Sequence, residues 1–305
     1  MNGIVVIDKP PGKTSHDVVI DVKKTLGAKK AGHTGTLDPL ATGVLPVCIN
    51  EATKLAPFFS QDTKEYLVTM LLGVKTDTQD VEGRIIASVE PSPIDLSEVK
   101  NVTDRFVGKI AQTPPRYSAI KFRGKALYKW ARYGIHVDMH PRVIEIYHID
   151  IQTVRTPYVM FKVSCSKGTY IRSLCADIGD GLGCGACLSE LRRIRTGRFV
   201  EDAAVSLQKV DVNNLISMVD ALPDFPFVPV GHAFADKLRT GYQPAMGTFD
   251  LRHMPFINAG DMIMLTDERR HLVAIARMLY SSDQFGELDE KVQVMKLLRV
   301  FRSES

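Results

Sequence analysis

One stretch of the chain, residues 66–73, limits the possible folds more than any other. It reads Tyr-Leu-Val-Thr-Met-Leu-Leu-Gly, so apolar side chains occur at both odd and even positions. Successive side chains of a strand point to opposite faces, and a strand that is apolar on both faces must be covered on both. We therefore predict a central strand of a sheet.

Further strands and helices are predicted around this one. Apolar runs bounded by glycine and proline are typical of strands, and apolar residues at helical spacing are typical of helices. The predicted strands cover residues 3–8, 44–49, 143–152 and 158–165. The predicted helices cover residues 15–26 with Ser15 as the N-cap, 51–59, part of 91–107, 125–133 and a segment from residue 171, where Ile171, Leu174, Cys175 and Ile178 share one face.

The length of 305 residues predicts more than one domain. Residues 221–230 are rich in proline and phenylalanine and are the predicted linker, and short β-like runs alternate with glycines beyond them. We therefore predict an α+β protein with a large domain over residues 1–222 and a small β-rich domain over residues 228–305.

The composition is that of an ordered globular protein, with 45% hydrophobic and 24% charged residues. No apolar run reaches the ~20 residues that a membrane span needs. The first residues also lack the basic start and long apolar stretch of a signal peptide. We therefore expect a cytoplasmic protein with no membrane contact.

The five cysteines are an odd number in a chain of ordinary size, which favours reduced thiols over a disulfide framework. Cys184 and Cys187 have the spacing of zinc ligands or of a redox pair. A structural zinc site needs a second pair or histidines at ligand spacing, and Cys165 and Cys175 are too far apart to supply one. We therefore expect buried thiols and no metal.

Basic residues are concentrated in two stretches, although the net charge is only +4. Residues 112–133 contain no acidic residue, and aromatic side chains alternate with the basic ones. Residues 162–198 contain seven basic and three acidic residues. Either stretch could be a solvated face, but basic and aromatic residues together favour a phosphate-rich partner, with nucleic acid as one alternative. The first stretch contains Arg116, Lys121, Arg123, Lys125, Lys129 and Arg132, with Tyr117, Phe122, Tyr128, Trp130 and Tyr133.

Asp38 lies in a stretch, residues 31–43, that is rich in glycine, proline and small hydroxyl residues. Pro39 favours an extended conformation at Asp38, and the glycines permit backbone angles that other residues resist. Two interpretations remain open from these residues alone. Asp38 could be a helix N-cap with proline at the first helical position, or a carboxylate held in place for chemistry.

Seven motifs occur along residues 2–210 in the order in which they occur in one enzyme family, and together they are highly specific. The chain therefore resembles the TruB family of bacterial tRNA pseudouridine synthases, which modify the T-loop uridine at tRNA position 55. The motifs are Lys9-Pro10, the loop 32–43, Lys64-Glu65-Tyr66, residues 75–80 (Lys-Thr-Asp-Thr-Gln-Asp), Tyr117-Ser118-Ala119, residues 166–172 (Ser-Lys-Gly-Thr-Tyr-Ile-Arg) and Leu191-Arg192-Arg193.

The resemblance implies a pseudouridine synthase fold, with a curved, largely antiparallel mixed sheet flanked by helices and an active site in a cleft across the sheet. It also implies a C-terminal PUA-like RNA-binding domain. Residues 260–265 resemble a strand of that domain. Residues 267–270, Asp-Glu-Arg-Arg, depart from it because a glycine-containing turn is common at this place.

The resemblance also assigns the catalytic residues. It implies that Asp38 is the nucleophile, attacking either the pyrimidine ring or C1′, and that Arg172 pairs with it and keeps it ionised. Tyr66 would stack on the target base and is the candidate for removing the C5 proton, directly or by positioning another base. A phenolic pKa near ~10 makes unaided proton removal unfavourable at neutral pH.

The remaining site residues are predicted to bind the substrate. Tyr170 and Leu191 would hold the uracil, and His33 would help to hold the T loop with its target base flipped out. Core packing alone would explain Tyr170 and Leu191 equally well, and a lone loop histidine is often only structural.

The isomerisation needs no cofactor, so none is expected. The expected partner is the T arm of tRNA, held by residues 112–133, with no obligatory protein partner and a monomeric protein. Two other functions stay open. The protein could bind and fold tRNA with a vestigial catalytic loop, or it could modify a different RNA.

Overall fold

The computed structural model describes residues 1–60, 62–135, 137–248 and 256–302. Residues 249–255 and 303–305 of the predicted small domain lie outside the described residues. The helices are α1 (Ser15–Thr25), α2 (Ala56–Phe59), α3 (Leu96–Thr103), α4 (Leu127–Arg132), α5 (Ile171–Gly181) and α6 (His232–Arg239). The strands are β1 (Gly3–Lys9), β2 (Ala31–His33), β3 (Thr42–Ile49), β4 (Lys64–Leu72), β5 (Val74–Thr76), β6 (Ile85–Ser88), β7 (Gly108–Gln112), β8 (Lys121–Phe122), β9 (Lys125–Ala126), β10 (Arg142–Arg155), β11 (Tyr158–Cys165), β12 (Ala186–Thr196), β13 (Phe199–Val200), β14 (Phe227–Pro229), β15 (Met262–Thr266), β16 (Leu272–Met278) and β17 (Met295–Val300).

Nine strands form the large sheet, in the order β1-β3-β12-β4-β11-β10-β7, with β2 paired to β3 and β13 paired to β12. Among these pairings only that of β3 with β12 is parallel. The predicted α+β class with a mixed, largely antiparallel sheet is therefore confirmed.

Strand β4 lies in the middle of this sheet, between β12 and β11, as residues 66–73 predict. Its side chains are alternately buried and half-buried, with Tyr66, Val68 and Met70 on the buried face. The prediction of a central strand is confirmed. The second face is covered less completely than the first.

Helix α1 begins at Ser15, one residue earlier than predicted, because its N-cap is not Ser15 but the residue before it. The cap is Thr14, whose hydroxyl accepts from the amide of Asp17 at 3.1 Å. The Asp17 carboxylate in turn accepts from the amide of Thr14 at 2.9 Å, which completes a capping box. Ser15 as the N-cap was therefore wrong, and this leaves the Ser15 hydroxyl free to bind elsewhere.

Helices α4 and α5 also test the predictions. Helix α5 buries its predicted apolar face, and Leu174, Cys175 and Ile178 are fully buried. Helix α4 is shorter than predicted because residues 125 and 126 pair with β8 as strand β9.

In the described part of the chain, no helix is long and apolar enough to cross a membrane.

Strands β14, β15, β16 and β17 form a second sheet, which packs against the first. One hydrophobic core contains Ile4 of β1 together with Met264 and Ile275 of the second sheet. Ala221 and Leu222 are buried in this core, and the end of the predicted linker forms β14. The first residues of the predicted linker thus pack in the core between the sheets, and its last residues belong to the second sheet. The domain boundaries stay predictions.

Candidate active site

A cavity of about 330 Å³ lies where β4, β12, the start of α5 and the loop between β2 and β3 meet. Five of the six predicted site residues line it, although they come from four separate parts of the sequence. Their side chains share this cavity with the loop residues Thr34, Gly35, Thr36 and Leu37. The five are Asp38, Tyr66, Tyr170, Arg172 and Leu191.

The Asp38 carboxylate forms an ion pair with Arg172 in this cavity. Arg172 Nε lies 2.9 Å from Asp38 Oδ2. The Arg172 side chain is only 5% exposed, whereas that of Asp38 is 39% exposed. A molecule in the cavity can therefore reach the carboxylate, while its cationic partner stays enclosed.

Arg172 is held in place by groups from distant segments. Its Nη1 donates to the carbonyl of Thr78 at 2.9 Å, and its Nη2 donates to the carbonyl of Tyr117 at 2.7 Å. Asp80 Oδ2 lies 3.5 Å from Nη1 and is almost completely buried. The guanidinium therefore has a fixed position, with Nε beside Asp38 as an ion pair.

Asp80 has no assigned role in the sequence predictions. Its carboxylate accepts from the Thr78 hydroxyl at 2.6 Å, which orients it beside Arg172. Its place at the end of the motif 75–80 marked this segment in the sequence, but only the fold brings its carboxylate beside Arg172.

Lys9 holds the loop that carries Asp38. Its ammonium group is fully buried and donates to the carbonyls of Pro39 at 3.1 Å and Ala41 at 2.6 Å. Burial lowers the pKa of Lys9 to about 8, and the negative charge of Asp38 opposes this shift. The Lys9-Pro10 motif thus has a structural explanation that sequence reasoning missed.

Ser15 holds the same loop from the other side. The hydroxyl donates to the carbonyl of Leu37 at 2.9 Å and accepts from the amide of Leu37 at 2.8 Å. The peptide group directly before Asp38 is therefore bound to α1, and the carbonyls of Pro39 and Ala41 that follow it are bound to β1. This restricts the positions that the carboxylate can adopt.

The interpretation of Asp38 as a helix N-cap is wrong. The amide of Ala41 donates to the carbonyl of Asp38 at 3.1 Å, which closes a turn, and strand β3 begins at Thr42. Because a strand rather than a helix follows Pro39, the carboxylate has no helix terminus to cap.

Tyr66 lies beside the buried Arg193 on the neighbouring strand β12. Arg193 Nε donates to the carbonyl of Val44 at 2.7 Å, and Nη2 donates to the carbonyl of Gly35 at 3.2 Å. Burial raises the pKa of the Tyr66 phenol to about 12. A neutral phenol is a poor base at physiological pH, which favours a stacking role for Tyr66 over proton removal.

Tyr170 is held through its backbone. The buried side chain of Gln112 donates to the Tyr170 carbonyl at 3.0 Å and accepts from the Tyr170 amide at 2.8 Å. Tyr170 directly precedes α5, so this contact also fixes the start of the helix that carries Arg172. Gln112 is a second residue that the sequence predictions missed.

Leu191, on β12, is 7% exposed and contributes an apolar part of the lining.

His33 is not among the residues that line the cavity. It lies on β2 opposite Val47 of β3 and is partly buried. Burial lowers the pKa of its imidazole, with Arg193 adding to the shift. The structure thus does not bring His33 into the wall with the other five, and its contact with RNA stays a prediction.

The thiols have no arrangement that points to metal chemistry. Cys48, Cys165, Cys175 and Cys187 are buried, and Cys184 is partly exposed. Across residues 1–60, 62–135, 137–248 and 256–302, no group of three or more His, Cys, Asp or Glu residues could hold a metal ion.

Gly43 gives a test of how tightly the loop is packed. Its φ is +95°, and a Cβ at this position would overlap the carbonyl oxygen of Arg193. We expect Gly43→Ala to destabilise the protein by more than about 2 kcal/mol and to lower activity by displacing Asp38. Denaturant unfolding and turnover measure the two effects.

Gly12→Ala is the matched control. Gly12 also has a positive φ, +79°, and lies beside the same loop, but nothing lies within 4 Å of an added Cβ. Only the backbone strain of about 1–2 kcal/mol is expected. Equal costs for the two variants would contradict a close contact between Gly43 and β12.

Comparisons with known proteins agree with this geometry. Residues 23–171 match the family model described as TruB family pseudouridylate synthase (N terminal domain), and residues 172–219 match the tRNA pseudouridylate synthase B C-terminal domain. A tRNA pseudouridine synthase B from Syntrophus aciditrophicus is 47% identical over 99% of both chains. The chain belongs to the TruB family of tRNA pseudouridine synthases. The predicted family is therefore confirmed.

Other relatives extend this result. A tRNA pseudouridine synthase B from Geobacter sulfurreducens is 41% identical over 99% of this chain and 100% of the relative. A solved Cbf5-Nop10-Gar1 complex contains a chain with a TM-score of 0.72 and 28% identity, covering 98% of this chain and 85% of that one. An H/ACA RNP bound to a substrate RNA with 2′-deoxyuridine gives a TM-score of 0.71 at 27% identity, covering 99% and 85%.

These comparisons establish the pseudouridine synthase fold, with a second β-sheet consistent with a PUA-like domain. They also establish the class of reaction: as a family member, the protein isomerises uridine to pseudouridine in tRNA. The family's C-terminal model ends at residue 219, within the predicted large domain.

Proposed function

We propose that the protein converts uridine 55 in the T loop of tRNA to pseudouridine, with Asp38 as the nucleophile. The observation that carries this proposal is the Asp38–Arg172 pair, in which an accessible carboxylate is held by an enclosed guanidinium. Tyr66, Tyr170 and Leu191 line the same cavity and offer ring and apolar surfaces to a flipped-out base.

The reaction rearranges bonds within one nucleoside. The N1–C1′ bond breaks, the detached uracil turns, a C5–C1′ bond forms, and the proton at C5 is lost while N1 gains one. Asp38 would form a transient bond to the base or to C1′, and both routes agree with its position. The walls of the cavity would keep the detached base beside the sugar during the turn.

We propose that the basic stretch 112–133 binds the T arm. Phe122 and Trp130 pack edge to face at 6.4 Å, and Arg123 and Lys125 lie over these rings at 5.4 Å each. This hairpin therefore joins cationic and aromatic groups that suit phosphates and unstacked bases. The side chain of Arg132 lies outside the described residues.

The protein would act as a monomer without a cofactor or an obligatory protein partner, in the cytoplasm. In support, this cavity already contains the carboxylate, the cation and the ring and apolar surfaces that the proposed reaction uses. Activity of the purified protein alone, with its mass measured by light scattering, tests this proposal.

Tritium release from C5-labelled uridine tests the proposed function. A T-arm stem-loop with its only labelled uridine at position 55 should release tritium, and a stem-loop labelled at a different loop uridine should not. Release from the second RNA alone would favour a different target. Binding and refolding of tRNA without any release would favour a tRNA-folding protein with a vestigial loop.

The ionisation of Asp38 predicts the acid side of the pH profile. The cavity walls exclude water and raise the pKa of this carboxyl above its ordinary value of 3.8, while Arg172 opposes the rise. Since only the carboxylate is a nucleophile, kcat/KM should fall as the pH drops, with a midpoint above that of an ordinary aspartate. A profile that stays flat down to about pH 4 would contradict this role.

A further inference from the structure

Arg193 is a buried cation to which the proposed reaction assigns no role. It lies on β12 and is only 1% exposed. Its Nε donates to the carbonyl of Val44 at 2.7 Å, its Nη2 donates to the carbonyl of Gly35 at 3.2 Å, and its Nη1 lies 3.5 Å from the carbonyl of Thr36. Among the residues that the structure describes, no carboxylate pairs with it. Backbone dipoles and the phenol of Tyr66 take the place of a counter-ion.

Arg172, the cation of the ion pair, is arranged differently. It lies between the carboxylates of Asp38 and Asp80. Burial of a charge without a counter-charge opposes folding, and it lowers the pKa of the Arg193 guanidinium. The stability of the fold therefore does not by itself explain an arginine at this position.

The carbonyls that bind Arg193 do not depend on it for their position. Val44 belongs to β3, which lies between β1 and β12 in the large sheet. The loop that contains Gly35 is held by Lys9 and Ser15, which bind the carbonyls and the amide on either side of the nucleophile. The guanidinium is therefore anchored to a frame that is already fixed.

Tyr66 is the side chain that this anchored cation meets behind the cavity wall. The two residues are directly opposite each other in the antiparallel pairing of β4 and β12, so their side chains share one face of the sheet. The Tyr66 hydroxyl forms a hydrogen bond with the guanidinium, and this contact opposes the rise in the phenol pKa that burial causes. Tyr66 lines the cavity, whereas Arg193 does not. Arg193 therefore reaches a bound base only through the tyrosine ring.

We propose that Arg193 is a positioning residue that acts through the hydroxyl of Tyr66 and fixes the ring against which the target base stacks. The inference rests on the proposed function, because it takes Tyr66 as the stacking surface for the flipped-out uracil. A hydrogen bond has a preferred geometry, so one at the hydroxyl restrains the tilt of the ring. A detached uracil on a fixed ring keeps the orientation in which C5 can meet C1′, and loss of orientation slows a reaction within a bound complex.

The test is a double-mutant cycle of Arg193→Lys and Tyr66→Phe. Lysine keeps the positive charge but lacks the planar fork that meets the carbonyls and the phenol together. Phenylalanine keeps the ring but lacks the hydroxyl. We expect each single variant to lower the single-turnover rate of pseudouridine formation on a T-arm stem-loop by at least about tenfold, with the Kd for the RNA within a few-fold of wild type.

The double variant decides between the two roles that Arg193 could have. If Arg193 acts through the hydroxyl, the double variant should be at most about twofold slower than Tyr66→Phe alone. Losses that multiply would mean that Arg193 acts on the fold or on the nucleophile independently of Tyr66, and the proposal would be wrong. A wild-type rate for Arg193→Lys would overturn it as well. If Arg193→Lys does not fold, Arg193→Gln replaces it in the cycle with the same expectation.

Arg192→Lys is the matched control. Arg192 precedes Arg193 on β12, is 36% exposed, and pairs with Asp8 at 2.9 Å and Glu201 at 3.1 Å. The same substitution one residue away should leave the rate unchanged, in either background at position 66. A loss as large as that of Arg193→Lys would show that the effect is not specific to the contact with Tyr66.

A measurement without turnover follows the ring itself. A fluorinated tyrosine in place of Tyr66 gives one fluorine NMR resonance, which should broaden or split in Arg193→Lys and stay unchanged in Arg192→Lys. An unchanged resonance in Arg193→Lys would contradict the positioning role. Because this readout needs no reaction, it separates the two proposals: absence of tritium release by wild type would defeat the proposed function, whereas an unchanged ring would defeat only this inference.

Discussion

Asp38→Asn should lower kcat for pseudouridine formation by at least about 10³-fold while leaving the Kd for tRNA within a few-fold of wild type. The amide has almost the same shape as the carboxylate, so the loop contacts of Lys9 and Ser15 are retained. It cannot act as a nucleophile. Single-turnover tritium release and filter binding measure the two quantities.

Asp21→Asn is the control for this substitution. Asp21 pairs with Lys13 on the exposed side of α1, and its side chain is 42% exposed. The same loss of one charge should leave kcat unchanged. If Asp38→Asn retained near wild-type turnover, Asp38 would not be the nucleophile.

Arg172→Met should reduce both activity and stability. It removes the cation from between Asp38 and Asp80 and leaves the carbonyls of Thr78 and Tyr117 without their donors. Breaking such a buried pair costs about 3–5 kcal/mol of unfolding free energy. Turnover should fall by at least about 10²-fold, because the carboxylate loses its orientation and its counter-charge.

Arg195→Met shows whether this effect belongs to the buried network. Arg195 lies on β12, is 52% exposed and approaches Glu65 at 3.5 Å. Its loss should cost at most about 1 kcal/mol, since exposed pairs contribute little. Urea unfolding of the two variants beside wild type measures the difference. Comparable costs would show that Arg172 is not the centre of a buried network.

Several site features could be predicted from the sequence because they depend on local chemistry. The glycines and Pro39 around Asp38 predict an irregular loop, and the apolar spacing after Tyr170 predicts the helix that carries Arg172. The role of Lys9 could not be predicted, because nothing in residues 1–30 shows that the carbonyls of Pro39 and Ala41 lie beside its ammonium group. Asp80 and Gln112 were missed for the same reason.

The sequence alone was sufficient for five strands of the large sheet (β1, β3, β4, β10 and β11), for α1 and α5, for the family and for the identity of the nucleophile candidate, but it missed the central strand β12. Periodicity and ordered motifs are properties of neighbouring residues, and no knowledge of the packing is needed to recognise them. Only the tertiary structure decided that Asp38 caps no helix, that His33 lies outside the cavity wall, and that Asp80 approaches Arg172. Each of these depends on contacts between segments far apart in the chain, and packing of the sheet and α5 sets those distances.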